Sequence, residues 1–241
     1  MNFLISLIIA VILVTIGRDF IKKHANICYI LTTVLSILLV IGSLTGIIWT
    51  LPSWFTTTIL PILIKSTFST AIFVIVMYTG AFKNGSSLIK FLMPIRAELS
   101  IIAGILTLAH NISFGKYYFV SLFNTPETMT TNMKAAAGIS IVLITIMIPL
   151  LITSFPSVRK SMKPKVWKRL QRLAYVFYAL VYAHVMVIML PVALTGDMTY
   201  IINVVVYSVV FITYAIMRIS KFLTRKYLSK SKQTSFVNIA N

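Results

Sequence analysis

The stretch LAYVFYALVYAHVMVIML, residues 173–190, decides the fold. Its eighteen residues carry no formal charge. As a helix it would be roughly 27 Å long, close to the thickness of a bilayer's hydrocarbon core. Apart from tyrosines, its one polar side chain is His184, twelve residues beyond Arg172. A second stretch repeats the arrangement: His110 lies twelve residues beyond Glu98, within the apolar run that Glu98 opens. If both stretches are helices running the same way, each imidazole stands about 18 Å above its charged end. Ionisable side chains inside a bilayer are costly and are functional candidates by default. Two imidazoles at one level in a low-dielectric bundle are what a haem needs for axial ligation. The bland alternative is that each is a packed polar residue bonded across helices.

The rest of the chain agrees with a membrane bundle. Of 241 residues, 59% are hydrophobic and only 11% are charged, with a mean hydropathy of +0.95. Apolar runs cover about 3–17, 27–49, 59–82, 98–114, 135–154, 172–191 and 199–217. Most approach the ~20 residues that a span requires. No segment alternates with period 2, which argues against a β-barrel. Backbone groups in lipid must then be satisfied within helices. The expected fold is an all-α, polytopic bundle of about seven transmembrane helices. The organisation expected is two N-terminal helices over 1–58, a haem-binding core over 59–191, a last helix with a basic end over 192–228, and a polar tail over 229–241 that reads as mobile.

The net charge of +18 does not point to nucleic acid, because the basic residues sit in short segments between apolar runs. Segments 18–26, 83–97, 155–172 and the tail from 218 hold nineteen of the 22 Lys and Arg, whereas 50–58 holds none and 192–198 only Asp197. This alternation places the N-terminus outside and the C-terminus in the cytoplasm. Trp49 and Trp54 would then mark the outer interface and Trp167 the inner one. The first run lacks a basic leader and a small-residue cleavage site and reads as a retained helix, not a signal peptide. Dense Ile, Lys and Asn usage suits a low-GC bacterial source, so the expected location is the bacterial cytoplasmic (inner) membrane.

The single cysteine, Cys28, excludes an intrachain disulfide and a CxxCH attachment site. Any haem is therefore expected to be non-covalent haem b. His24 falls in a basic segment and reads as a solvated loop residue. Lys65 is the one lysine well inside an apolar run; six residues below the outer end is roughly 9 Å, near the histidine level. It is placed to pair with a haem propionate, or else to snorkel its stem to the surface. Glu98 suits a helix N-terminus and a pairing with a basic loop residue. The 155–172 cluster reads first as a topology determinant, and also as a surface for anionic lipid or an acidic donor. Tyr117 and Tyr118 fit an interfacial belt.

Around these two histidines the sequence resembles the ferric-reductase-like transmembrane domain family, which includes the membrane haem subunit of bacterial methionine sulfoxide reductase systems, ferric reductases and NADPH oxidases. The family's R-R-x-L-G segment, with a histidine fourteen residues after its first arginine, is matched at Arg96, Leu99 and His110, while Ala97 and Ser100 depart. The family's P-L-x-x-T-S, then W-x-x-L-H-R-L-x-Y and a later histidine, is matched by Pro149-Leu150-Leu151-Ile152-Thr153-Ser154, Trp167, Leu170, Arg172, Leu173, Tyr175 and His184. The resemblance covers roughly residues 59–191. Two-haem members carry a second histidine pair about 13 residues nearer the cytoplasm, where this chain has Ala97 and Gln171. The resemblance therefore implies one bis-histidine haem, ligated by His110 and His184 on the outer side, with the inner site lost.

The function expected is electron transfer through that haem to an outer-side acceptor, with membrane lipid, and either a quinol or a separate reductase, as partners. A missing inner haem disfavours a cytosolic flavin or nicotinamide donor and favours a membrane quinol. The alternative is haem binding, sequestration or sensing without redox turnover. A third reading is a small transporter or assembly subunit. Whether the chain is an oxidoreductase subunit is left open by the sequence.

Overall fold

The computed structural model describes residues 2–239, except for the side chains of 225, 226 and 228–239. The side chains of the polar tail thus lie outside the described residues. Helices are joined by short connections, with no strand among the described residues. They are α1 (Asn2–Lys23), α2 (Ala25–Thr45), α3 (Leu60–Ile64), α4 (Thr67–Ala81), α5 (Ser87–Leu92), α6 (Arg96–Asn124), α7 (Thr131–Ile152), α8 (Pro156–Ser161), α9 (Pro164–Gln171), α10 (Leu173–Ala193) and α11 (Met198–Ile239). Six of the described helical stretches are long and apolar enough to cross a membrane, or seven if the bent pair formed by 55–64 and 67–81 counts as one span. The chain is an all-α, multi-pass membrane bundle.

The third apolar run differs from its expected form. It is not one helix: a π turn (Phe55–Ile59) leads into α3, and the axis bends by 43° between α3 and α4. Pro61 near the start of α3 removes one backbone donor. Ser66 then takes a left-handed conformation, φ 60°, which costs a non-glycine residue about 1–2 kcal/mol. A break inside a bundle must find new partners for its freed polar groups. Five hydroxyls supply them. Ser66 and Ser69 are hydrogen-bonded to each other, and Thr107 of α6 donates to Ser69 at 3.0 Å. Thr67 Oγ1 donates to the Ile62 carbonyl at 3.1 Å and lies 2.9 Å from Ser6 Oγ of α1.

The fourth span is also longer than its apolar run. With no proline between Pro94 and Pro126, α6 continues to Asn124. His110 therefore sits near the middle of its helix, whereas the apolar run 98–114 ends four residues beyond it. Hydropathy marks where lipid stops, whereas the helix stops only where the chain ceases to be helix-competent.

Side-chain contacts show that the basic segments share one end of the bundle. Arg18 at the end of α1 donates to the Phe91 carbonyl of α5 at 2.9 Å and covers the Phe91 ring. Arg218 of α11 lies over Tyr175 at the start of α10 and donates to the Gly80 carbonyl of α4 at 3.3 Å. Arg159 covers Trp167. From this basic end α6 and α10 run in the same direction, while α4, α7 and α11 return toward it. The core is an aromatic seam between α1, α4, α10 and α11: Phe3 stacks on Tyr207 at 3.7 Å, and Tyr178 stacks on Phe211 at 4.1 Å. Ile12, Ile16, Leu31, Leu38 and Ile216 are exposed, as a lipid-facing surface requires.

Candidate functional site

Both intramembrane histidines are fixed by the same device. His110 Nδ1 lies 2.8 Å from the carbonyl oxygen of Ile64, the last residue of α3 before the break. His184 Nδ1 lies 3.2 Å from the carbonyl oxygen of Ala136 on α7 and 3.3 Å from Ser140 Oγ. A carbonyl only accepts, so Nδ1 carries the proton in each ring. In the neutral imidazole Nε2 is then the bare lone pair. A backbone carbonyl on the other ring nitrogen is the usual way that a metal-ligating histidine is oriented and made more basic.

The depth of the two rings can be compared on one ruler, α4 and the break before it. His110 bonds to Ile64. Phe177 of α10 packs edge-on against Phe73 of α4 at 5.3 Å. His184 lies seven residues further along α10, and seven residues back from Phe73 is Ser66. The two histidines therefore project to positions 64 and 66, about 3 Å apart along the axis. α7 packs on both α6 and α10, which have no comparable packing on each other. Two parallel helices thus present imidazoles at one level from two sides.

The remaining candidates separate. Lys65 lies in the break itself, next to the carbonyl that holds His110, and its side chain is exposed. His24 lies at the basic end, alone between α1 and α2, with its ring 5.0 Å from that of Phe20. Glu98 stands in the first turn of α6, where an acidic group suits the helix dipole. Among the described residues it has no ion pair, and its buried Oε2 has no hydrogen-bond partner. No set of three or more His, Cys, Asp or Glu among the described residues could hold a bare ion. A pair of imidazoles, one on α6 and one on α10, is a set that suits a metal arriving with its own equatorial ligands, as a porphyrin's iron does.

Closer to the basic end, Thr153 at the frayed end of α7 ties α9 down. Its carbonyl accepts from Trp167 Nε1 at 3.1 Å, and its hydroxyl accepts from Gln171 Nε2 at 3.1 Å. The Thr153-Ser154 and Trp167…Gln171 stretches are thus two halves of one contact. A cavity of about 50 Å³ lies beside it, lined among others by Arg96, Ser100, Gly104, Leu151, Gln171 and Tyr178. Sequence reasoning missed four positions: the Ile64 and Ala136 carbonyls, Ser140 and Thr107. A backbone acceptor leaves no trace in side-chain identity. The signal that was available was Pro61 followed by Lys65-Ser66-Thr67 in an otherwise apolar run.

Comparison with known proteins places the site in a family. Residues 63–182 match the family model described as ferric reductase like transmembrane component. The matched segment runs from just before the break to two residues short of His184. A protein of Treponema pallidum (strain Nichols), described there as an uncharacterized protein, is 40% identical over 226 residues, 94% of this chain. The chain spans 62% of that relative's length. No solved structure matches. Through residues 63–182, which carry the α3–α4 break, His110 and the start of the His184 helix, the chain belongs to the ferric reductase-like transmembrane family.

Proposed function

We propose that this protein is a membrane b-type haem protein that passes electrons through one bis-histidine haem. His110 and His184 are its axial ligands through Nε2. One observation carries the reading: at both rings a backbone carbonyl holds Nδ1–H, which leaves matched bare Nε2 atoms at one level of the bundle. A bound haem would supply one-electron storage at its iron. The residues of the chain would set the rest. The Ile64 and Ala136 carbonyls orient the imidazoles, the helix walls exclude water, and Lys65 offers a cation for a propionate at the histidine level.

The basic end is proposed to be cytoplasmic, which places the haem toward the outer face of the bacterial inner membrane. Ala97 and Gln171 stand where two-haem relatives place a second ligand pair, and Gln171 is engaged with Thr153. One haem per chain follows. The donor is a separate molecule, and an oxidoreductase role is exercised only with that partner. The single haem also favours a second reading, haem sequestration or sensing, because no relay reaches the basic end. The test is haem stoichiometry by pyridine haemochromogen with an oxidised and a dithionite-reduced spectrum of the detergent-purified protein. One haem b per chain with a reversible low-spin spectrum supports the proposal, whereas two haems or none contradict it. Redox turnover with a quinol, compared with haem uptake alone, separates the two readings.

A further inference from the structure

The segment that joins α7 to α10, residues 153–172, leaves and re-enters the bundle at its basic end and carries α8 and α9. All seven of its lysines and arginines are exposed, and none makes an ion pair or a side-chain hydrogen bond among the described residues. The nearest acidic residues in sequence are Glu127 and Asp197. Arginines elsewhere at this end are spent within the protein. Arg18 holds Asp19 and the Phe91 carbonyl, Arg96 donates to the Val76 carbonyl at 3.3 Å, and Arg218 donates to the Gly80 carbonyl at 3.3 Å. Setting the topology needs only the charge of the segment. It does not need α9 to be pinned, yet Trp167 and Gln171 both bond to Thr153, just past the end of α7. α9 is therefore held at the level where a span meets the membrane surface.

The helical repeat sorts α9 into three faces. Trp167 and Gln171 face α7. Val166, 53% exposed, and the half-buried Leu170 form a second face. Lys165, Lys168 and Arg169 form the third. Arg159 of α8 lies over the Trp167 ring at 4.6 Å, which brings the cations of α8 onto the same fold-back. Ile152 and Leu173, where the flanking spans end and begin, are exposed as well, so acyl chains reach this level on both sides. Cations on one face, exposed aliphatic side chains beside them and a fixed place at the end of a span are the form of an interfacial helix. An acidic soluble protein would answer the charge alone. A lipid answers both features, with phosphate on the cations and chains on the aliphatic groups. We infer that the α8–α9 fold-back is a binding surface for anionic phospholipids, with phosphates on Lys165, Lys168 and Arg169 and acyl chains along Val166 and Leu173. This surface is independent of what the histidines hold, and it serves whichever leaflet the basic end meets.

The experiment uses the full chain with Trp49→Phe and Trp54→Phe, which leave Trp167 as its one tryptophan. It is reconstituted in phosphatidylcholine bilayers, and quenching of Trp167 by brominated phosphatidylglycerol is compared with quenching by brominated phosphatidylcholine. One lysine or arginine near a membrane surface is worth roughly a fivefold preference for anionic lipid. The expected result is a preference for phosphatidylglycerol of about fivefold or more at low ionic strength, which shrinks as added salt screens it. Lys165→Gln, Lys168→Gln and Arg169→Gln together should remove most of that preference. The melting temperature in phosphatidylcholine should stay unchanged, because none of these side chains has a partner within the protein. Lys22→Gln, Lys23→Gln and Lys83→Gln together remove the same charge and should leave the preference intact. A preference that survives the α9 variant, or that falls equally in the control variant, would overturn the assignment. Equal quenching by the two lipids would also overturn it, and binding of an acidic soluble protein that the α9 variant loses would then give the surface to a protein partner.

Discussion

Substituting Ser69 tests whether the break before α4 is what holds His110. Ser69 is 1% exposed. Its hydroxyl bonds to Ser66, accepts from Thr107 Oγ1 at 3.0 Å and donates to the Ser66 carbonyl at 3.1 Å. In Ser69→Ala the hydroxyl of Ser66, itself 8% exposed, loses its partner, a cost of about 1–3 kcal/mol. Thr107 is not orphaned, because it also donates to the Ala103 carbonyl at 2.8 Å. Hydrogen bonds between membrane helices average about 0.6 kcal/mol and reach about 1.7. Ser69→Ala should therefore cost roughly 2 kcal/mol, Thr107→Val about 0.5–1 kcal/mol, and the pair less than the sum by about 0.6 kcal/mol. The assay is a double-mutant cycle on detergent unfolding, followed by tryptophan fluorescence. Ile64 precedes Ser66 by two residues, so loosening the break also loosens the carbonyl on His110. Haem release to apomyoglobin should accelerate several-fold in Ser69→Ala. Strict additivity together with unchanged haem release would refute the link between the break and the histidine.

Other perturbations probe other parts of the account. Lys65→Leu is expected to keep the haem spectrum, because it leaves both ligands in place, and to weaken haem retention several-fold in a transfer assay; unchanged retention would remove the propionate pairing. His24→Ala should leave haem content and spectrum as in the wild type, and a loss of haem there would show that the ligand pair is misassigned. Trp167→Phe keeps an aromatic body but frees the Thr153 carbonyl, so a melting temperature lowered by the equivalent of about 0.5–1.5 kcal/mol is expected, with the Soret band unmoved. Phe3→Ala removes a stacked ring from Tyr207. In lipid the loss is packing and not transfer from water, so its cost should fall below the roughly 3–5 kcal/mol seen in water-soluble cores, read by the same unfolding assay.

The spans were legible because hydropathy reports lipid contact directly, and the similar depth of His110 and His184 could be anticipated because both lie twelve residues beyond a charged residue. The break at Lys65 was not. A window average over 59–82 absorbs Pro61 and the Lys65-Ser66-Thr67 triplet, yet those residues end one helix and start another. The length of α6 was hidden for the opposite reason: the chain beyond Phe114 grows polar while remaining helix-competent. The histidine partners were invisible in principle, since Ile64 and Ala136 act through their carbonyls. Gln171 was read only as a residue that is not a ligand. The structure gives it a contact of its own, with Thr153, and that contact requires the α7–α9 fold-back that no local pattern displays.

The central claim is that His110 and His184 hold one haem between them. It is tested most directly by low-temperature electron paramagnetic resonance and absorption spectra of the ferric protein beside His110→Ala and His184→Ala. The account predicts a low-spin bis-imidazole signal in the wild type that each variant alone converts to high spin or abolishes. A low-spin signal that survives either substitution, or a wild-type protein that takes up no haem, would contradict it.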